Sequence, residues 1–257
     1  VDFKKAVSCY QEAAQNGFDV AQWRLGYCYE EGIGVEQDYQ KALEYYQQSA
    51  SQNNTRALCS LGLMYEEGRG VMADPQKAFE YYRLGAQYQD EVCQCNLAFC
   101  YEQGIGIKQD FQQAKHYYEL AVQKHYPRAM CNLGVLYEIG LGCDKDEHQA
   151  FLLYQQAAQQ QYWPAVCNVA SCYENGIGTK INLSLAFENY FNAANHHWAR
   201  GMYHVGRFYE DGIGIEANAD KAVSYYEQAG ENGVADGFVE LGRMYEWGKG
   251  VKQSYSQ

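Results

Sequence analysis

Long apolar segments are missing from this chain of 257 residues. No stretch approaches the roughly 18 apolar residues that a membrane-spanning helix requires, so the sequence predicts no direct insertion into a membrane. No secretory signal peptide is recognisable at the N-terminus either. Because the chain begins with Val1 rather than methionine, we expect it to be an excerpt or a processed form of a longer protein.

Positive charge is scarce as well. The chain has 20 Lys and Arg residues against 32 Asp and Glu residues, which gives a formal net charge of -12. Nucleic acids and anionic membrane surfaces are bound mainly through Lys and Arg, so the sequence argues against both as partners. It remains compatible with a basic or neutral protein partner. Alternatively, the acidity only keeps a long, open surface soluble.

Recognisable catalytic motifs are also missing. Residues 32–34 look like part of a phosphate loop, but a third glycine and a preceding strand are lacking. No Ser/His/Asp or Cys/His set can be assembled from the sequence pattern. No metal-ligand spacing is complete, although candidate side chains occur at His196, His197, His204, Cys143 and His148. The sequence therefore predicts a chain that is not an enzyme and has no metal or cofactor.

A strict repeat dominates the chain. The string Tyr-Glu-x-Gly-x-Gly occurs seven times at a spacing of 36 residues, starting at Tyr29, Tyr65, Tyr101, Tyr137, Tyr173, Tyr209 and Tyr245. A fixed period of this length indicates a solenoid in which each unit packs on its neighbours. We expect one solenoid over residues 1–257. Residues that recur in all copies are interpreted as scaffold, including the Tyr-Glu pairs.

The first half of each period predicts a helix, which we call helix A. Ala21, Leu25 and Tyr29 have the spacing of one face of an amphipathic α-helix. Gly32 favours the left-handed conformation that ends a helix, and Gly34 permits the sharp turn that follows.

The second half of each period predicts another helix, helix B. Asp38 and its equivalents are Asp or Asn, which are good N-caps. Ala42, Tyr46 and Ser49 are expected to face inward. Small residues on one helix would leave room for the large tyrosine of its neighbour, as close packing of helices requires.

The ten cysteines are predicted to be free thiols. Cys59, Cys95, Cys131 and Cys167 share one repeat position, and equivalent residues of stacked helices lie roughly 8–10 Å apart. A disulfide needs Cα atoms within about 7 Å. This pattern favours a reducing, cytoplasmic location. The glycosylation sequons at Asn53 and Asn182 are interpreted as chance matches.

These residues together resemble the Sel1-like repeat family. The matching motif is carried by Ala21, Leu25, Gly26, Tyr29, Gly32, Gly34, Val35, Asp38, Lys41, Ala42, Tyr46 and Ala50. The resemblance implies an all-α fold, a right-handed α/α superhelical solenoid of seven 36-residue helix-pair repeats, with A helices along a concave groove. It also implies an adaptor rather than an enzyme. The chain begins and ends within a repeat, so we expect the natural protein to be longer.

The positions at which the repeat varies are the candidate binding residues. An asparagine row in the A helices would offer amide groups to the backbone of an extended peptide, and flanking apolar and arginine rows would add contacts. Alternatively, the asparagines bond locally between A helices, the apolar row is core, and the arginines form a solvated surface. The predicted groove residues are Asn96, Asn132, Asn168, Phe99, Leu63, Val135, Trp23, Tyr27, Tyr203, Arg56, Arg128 and Arg200.

The sequence therefore predicts a protein-interaction scaffold, or adaptor, that binds a protein or an extended peptide in the groove. A second hypothesis is a regulatory or targeting module of a larger enzyme or of a membrane-complex protein.

Overall fold

Fourteen α-helices and no strand make up the range that the computed structural model describes, residues 2–250. B and A helices alternate, starting with a B helix. The helices are α1 (Phe3–Gln15), α2 (Asp19–Glu31), α3 (Tyr39–Ala50), α4 (Thr55–Glu67), α5 (Pro75–Gln87), α6 (Glu91–Gln103), α7 (Phe111–Gln123), α8 (Pro127–Ile139), α9 (Glu147–Gln159), α10 (Trp163–Asn175), α11 (Leu183–Asn195), α12 (Ala199–Asp211), α13 (Ala219–Glu231) and α14 (Ala235–Trp247). The predicted all-α class and helix-pair repeat are confirmed. Over the same range, no helix is long and apolar enough to cross a bilayer.

The chain forms two compact units. Unit 1 comprises Val1–Ala129 and Leu141–Cys143, and unit 2 comprises Met130–Gly140 and Asp144–Gln257. The A helices α2, α4, α6, α10 and α12 each make their most extensive contacts with the B helix that follows.

Each A helix ends as the glycine pattern predicts. Gly32 closes α2 with a φ of +68°, and Gly34 follows with a φ of +74°. A Cβ atom on Gly34 would lie 2.7 Å from the carbonyl oxygen of Phe3, so the backbones of the loop and of α1 approach too closely for a side chain. Glycine is therefore required there both by conformation and by space.

Each B helix begins at the predicted cap. The Asp38 carboxylate accepts a hydrogen bond from the Lys41 amide at 3.0 Å and satisfies one of the free amides of α3. The same bond recurs at the other B-helix caps, Asp2, Asp74, Asp110, Asp146, Asn182 and Asn218.

The turn from helix B to the next helix A was not anticipated from the sequence. One residue of each turn is left-handed, but glycine occupies only Gly17 and Gly233. The other copies place a side chain at a φ of 58° to 65°, at Asn53, Gln89, His125, Gln161 and His197. Asparagine and histidine adopt this conformation more readily than glutamine does, but the position varies among the three, so no repeated signal marked the turn.

The conserved spacing of Tyr and Glu creates the core of each helix pair. Tyr46 is fully buried against Gly26, where an added Cβ would lie 2.7 Å from the tyrosine ring. Its hydroxyl donates a hydrogen bond to the Glu30 carboxylate at 2.5 Å, and burial together with this bond raises the Tyr46 pKa. The bond recurs at 2.6 to 3.2 Å in Tyr82–Glu66, Tyr118–Glu102, Tyr154–Glu138, Tyr190–Glu174 and Tyr226–Glu210. The Glu of each Tyr-Glu pair therefore has the scaffold role that its recurrence predicted, through a tyrosine 16 residues later in the chain.

Candidate functional site

The A helices of unit 1 present a continuous row of aromatic, aliphatic and arginine side chains. Residues at i, i+3, i+4 and i+7 of one helix share a face, and these positions of α2, α4 and α6 supply most of the row. We call it the unit 1 A surface, and it consists of Trp23, Arg24, Tyr27, Arg56, Leu63, Phe99 and Arg128. Tyr27 and Leu63 are 39% and 38% exposed, whereas Trp23 and Phe99 are half-buried.

Trp23 is the centre of the α2 and α4 part of this surface. Its indole Nε1 donates a hydrogen bond to the Ser60 hydroxyl at 3.3 Å, which ties α2 to α4. The guanidinium groups of Arg24 and Arg56 lie 4.8 and 5.0 Å from the centroid of its ring. Tyr27 stacks on the same ring at 6.4 Å. Two cations therefore share one aromatic residue, whose ring attracts both guanidinium groups.

Asn96 has a different role from the one that the groove hypothesis gave it. It is 6% exposed, and its amide nitrogen donates to the Cys59 sulfur at 3.4 Å. Its amide oxygen accepts a hydrogen bond from Arg128 at 3.2 Å, and the same guanidinium lies 5.9 Å from the Phe99 ring. The side chain therefore bridges neighbouring A helices, which is the local bonding that the sequence left open as the alternative.

The asparagine row continues in unit 2 with the same local pattern. Asn168 donates to the Cys131 sulfur at 3.3 Å and accepts from Arg200 at 3.5 Å. Asn132 and Val135 of α8 are half-buried. Asn96 and Asn168 thus each donate a hydrogen bond to a cysteine of an earlier A helix and accept one from an arginine of the next A helix.

The arginines farther along unit 2 form ion pairs. Arg207 pairs with Glu174 of the preceding A helix. Arg243 lies 2.8 Å from Glu210 and 2.6 Å from Glu240. Because these carboxylates neutralise the arginines, little positive charge remains for a ligand.

His204 takes the place of asparagine in α12. Its ring stacks on Tyr190 at 4.2 Å and meets Tyr203 edge-on at 5.4 Å. Its Nδ1 is buried with no hydrogen-bond partner among the described residues. Burial, reinforced by the charges of Arg207 and Arg200, lowers the His204 pKa to about 3, so this imidazole is neutral at physiological pH.

The structure thus brings eight of the twelve predicted groove residues into contact with one another or with a neighbouring A helix. Trp23, Tyr27 and Arg56 form one cluster, and Asn96, Phe99 and Arg128 form another in the same unit; Asn168 and Arg200 form a third in unit 2. Leu63 lies exposed on α4 of unit 1, while Tyr203 is half-buried on α12 of unit 2.

Arg24 was missed by the sequence analysis as a site residue. The signal that could have found it is the Trp-Arg pair of α2, because an arginine of the next A helix faces the same tryptophan. Within residues 2–250, no group of three or more His, Cys, Asp or Glu side chains is placed to hold a metal ion. The arrangement is suited to binding through aromatic faces and guanidinium edges.

The repeat of this chain matches a known protein family. The model of the family described as Sel1 repeat matches eight segments, residues 1–18, 19–54, 55–87, 92–126, 127–162, 163–197, 199–234 and 239–257. No curated protein matches the chain.

Solved structures have the same fold. A Sel1 repeat protein from Oxalobacter formigenes is 27% identical with a TM-score of 0.82, over 88% of this chain and 91% of that one. A protective antigen present in uropathogenic Escherichia coli strains is 27% identical with a TM-score of 0.65; the match covers 99% of this chain but spans only 62% of that protein. An immunity protein from Pseudomonas aeruginosa, 19% identical over 85% of this chain and 83% of that one, shares the fold with a TM-score of 0.58.

Proposed function

This chain belongs to the Sel1 repeat family, and from that premise we propose that it is a non-enzymatic scaffold that binds a partner protein or an extended peptide through its A helices. Sel1 repeats mediate protein interactions, and the family is typically non-catalytic. In unit 1, the proposed binding surface is the unit 1 A surface, which runs from Trp23 to Arg128.

The observation that carries the proposal is the exposure of apolar side chains on this row. Each helix pair is already held together by a buried tyrosine such as Tyr46 or Tyr82. Tyr27 on α2 and Leu63 on α4 are not part of this buried core, because they are 39% and 38% exposed. Covering a partly exposed side chain of this size contributes about 1 kcal/mol to binding. Exposed aromatic and aliphatic groups beside arginines are typical of protein-binding surfaces.

The test is a selection of binders from a displayed library of random 12-residue peptides, with the whole chain as bait. The chain offers a matched pair of variants, because Leu63 on α4 and Leu84 on α5 are 38% and 36% exposed in the same unit. Leu63→Ser should weaken the selected peptides at least about fivefold, which is roughly 1 kcal/mol. Leu84→Ser, on a B helix, should leave their affinity unchanged.

Two results would contradict the proposal. One is a selection that yields no peptide binding the chain reproducibly. The other is a set of binders that Leu84→Ser weakens as much as Leu63→Ser does, because the A helices would then have no special role.

A further inference from the structure

Two arginines of the unit 1 A surface, Arg24 and Arg56, have guanidinium groups that form neither a hydrogen bond nor an ion pair with any described residue. Both are exposed and contact the Trp23 ring. Other arginines of the described chain are partnered: Arg69, Arg83, Arg207 and Arg243 by carboxylates, and Arg128 and Arg200 by asparagine oxygens. Arg24 and Arg56 therefore differ from these six in what they contact.

Opposing charge on the face of α2 that carries Arg24 and Tyr27 is confined to Glu31, in the last turn of the helix. The i, i+3, i+4 and i+7 positions of this face carry no Asp or Glu in α2, α4 or α6. The residues at these positions are Val20, Trp23, Arg24, Tyr27, Arg56, Cys59, Ser60, Leu63, Val92, Cys95, Asn96 and Phe99. This is a local exception in a chain with a net charge of -12. The Debye length is about 8 Å at physiological ionic strength, so more distant acidic residues are largely screened from a ligand bound here.

The contact with Trp23 leaves the N–H groups of both guanidinium groups without a hydrogen-bond partner among the described residues. A ring contact uses the flat face of a guanidinium, whereas its N–H groups point outward in the plane. Carboxylates bind that edge, often through two parallel hydrogen bonds. Since both cations lie on one indole, an anion between them would also relieve their mutual repulsion.

Apolar side chains lie beside this cationic pair. Tyr27 stacks on Trp23 and is 39% exposed, and Leu63 on the next A helix is 38% exposed. In an extended peptide, residues i and i+2 point to the same side. A segment in which acidic and apolar residues share one side can therefore place carboxylates on the arginines and an apolar group on Tyr27 or Leu63.

We propose that the unit 1 A surface selects an acidic peptide segment of a partner protein, in which carboxylates meet Arg24 and Arg56 and apolar side chains meet Tyr27 and Leu63. The proposal rests on the function proposed above and names the chemistry of its ligand. It also departs from the charge of the whole chain, which by itself favours a basic or neutral partner.

The test uses three fluorescein-labelled nine-residue peptides with leucine at the same positions. Their remaining positions are all Glu, all Gln or all Lys, and binding to the full chain is measured by fluorescence anisotropy at 0.15 M NaCl. The Glu peptide should bind at least tenfold more tightly than the other two. Its affinity should also fall as the salt concentration rises, because the contacts are ionic.

Variants then locate the effect. Arg24→Gln with Arg56→Gln should weaken the Glu peptide at least tenfold and leave the Gln peptide unchanged. The control, Arg83→Gln with Lys108→Gln, removes the same two charges from exposed positions of α5 and of the loop after α6, and should change neither affinity. Circular dichroism checks that both double variants remain folded.

The possible failures are distinguishable. If the Gln or Lys peptide binds as tightly as the Glu peptide, or if the Glu peptide shows no binding at 1 mM chain, acidic selection is wrong. It is also wrong if the control variant weakens the Glu peptide as much as the Arg24/Arg56 variant does. Each of these results leaves the proposed scaffold function standing as long as the display selection yields binders that depend on Leu63, whereas a failed selection removes the scaffold function itself.

Discussion

Unit 1 and unit 2 repeat the same helix pair but surround the arginines of their A helices differently. In both, a buried B-helix tyrosine donates to the Glu of the Tyr-Glu pair, as Tyr82 does to Glu66 and Tyr190 to Glu174. At the position where unit 1 has Tyr27, Leu63 and Phe99, unit 2 has Val135 and Ser171 and then Arg207 and Arg243, and these two arginines pair with glutamates. The scaffold thus tolerates either an exposed apolar surface or internal ion pairs at the same place.

The two units therefore differ in what the positive charge of their arginines contacts. In unit 2, Arg207 and Arg243 pair within the chain with Glu174 and Glu210, and removing one partner of such a pair would leave a buried charge uncompensated. In unit 1, Arg24 and Arg56 contribute only ring contacts, so their loss should affect a ligand more than the fold. Substitutions of the shared buried tyrosines should therefore lower the stability of both units equally. Substitutions of charged residues should lower the stability of the two units by different amounts.

The largest effect is expected when the shared scaffold is broken. Tyr82→Ala in unit 1 and Tyr190→Ala in unit 2 each remove a side chain that is at most 1% exposed. Each should lower the free energy of unfolding by about 3–5 kcal/mol, measured by urea denaturation. Tyr82→Phe serves as the control and should cost about 1–2 kcal/mol, because it removes only the bond to Glu66. A large loss in one unit and a negligible one in the other would contradict a common scaffold.

A smaller but unequal effect is expected when the glutamate of this scaffold loses its charge. Glu210 has a 2% exposed side chain and accepts bonds from Tyr226 and Arg243, whereas Glu66 accepts one from Tyr82. Glu210→Gln should cost about 1.5–3 kcal/mol of unfolding free energy, the range for hydrogen bonds to charged groups.

Glu66→Gln is the matched variant, and it should cost less than about 1 kcal/mol because the amide oxygen can still accept from Tyr82. Equal losses in the two variants would show that the ion pairs of unit 2 add nothing to stability.

Acid should also distinguish the units, through His204. Its pKa is about 3 in the folded chain against 6.5 for an ordinary histidine, so the unfolded state binds an extra proton between these values. Stability from this residue is therefore fully present above pH 6.5 and is lost as the pH falls toward 3, at up to about 1.4 kcal/mol per pH unit.

The matched variant is His204→Asn, since Asn168 occupies the same position one repeat earlier. Between pH 7 and pH 5, the natural chain should lose about 1–2 kcal/mol more unfolding free energy than the variant. Parallel losses in the two proteins would mean that His204 is not held neutral by its surroundings.

The positions of the helices could be predicted from the sequence, because the residues that begin and end a helix recur in every repeat. Asp38 caps a helix wherever it recurs, and Gly32 ends one, since both act through local backbone chemistry. The left-handed residue of the other turn was missed because Gln89 or His125 carries no such local signal. There the tertiary packing of the two helices overrides the preference of the residue.

The candidate site was less predictable, because its chemistry depends on contacts between repeats. Asn96 was expected to be offered to a ligand, yet Cys59 and Arg128 engage both ends of its amide. Arg24 and Arg207 look alike in sequence, but one stacks on Trp23 and the other pairs with a glutamate. Except for Trp23, which is adjacent to Arg24, these partners lie about one period away along the chain, beyond the reach of a local pattern.

The most direct test of the account is to find where a bound peptide touches the chain. A photo-cross-linking phenylalanine derivative is placed at Leu63, at Leu84 or at Ser171, which occupies in α10 of unit 2 the repeat position of Leu63. A biotin-labelled peptide from the display selection is then irradiated with each variant. The account predicts strong cross-linking from position 63, weaker cross-linking from position 171 and background from position 84. Cross-linking from position 84 that equals or exceeds that from position 63 would contradict it.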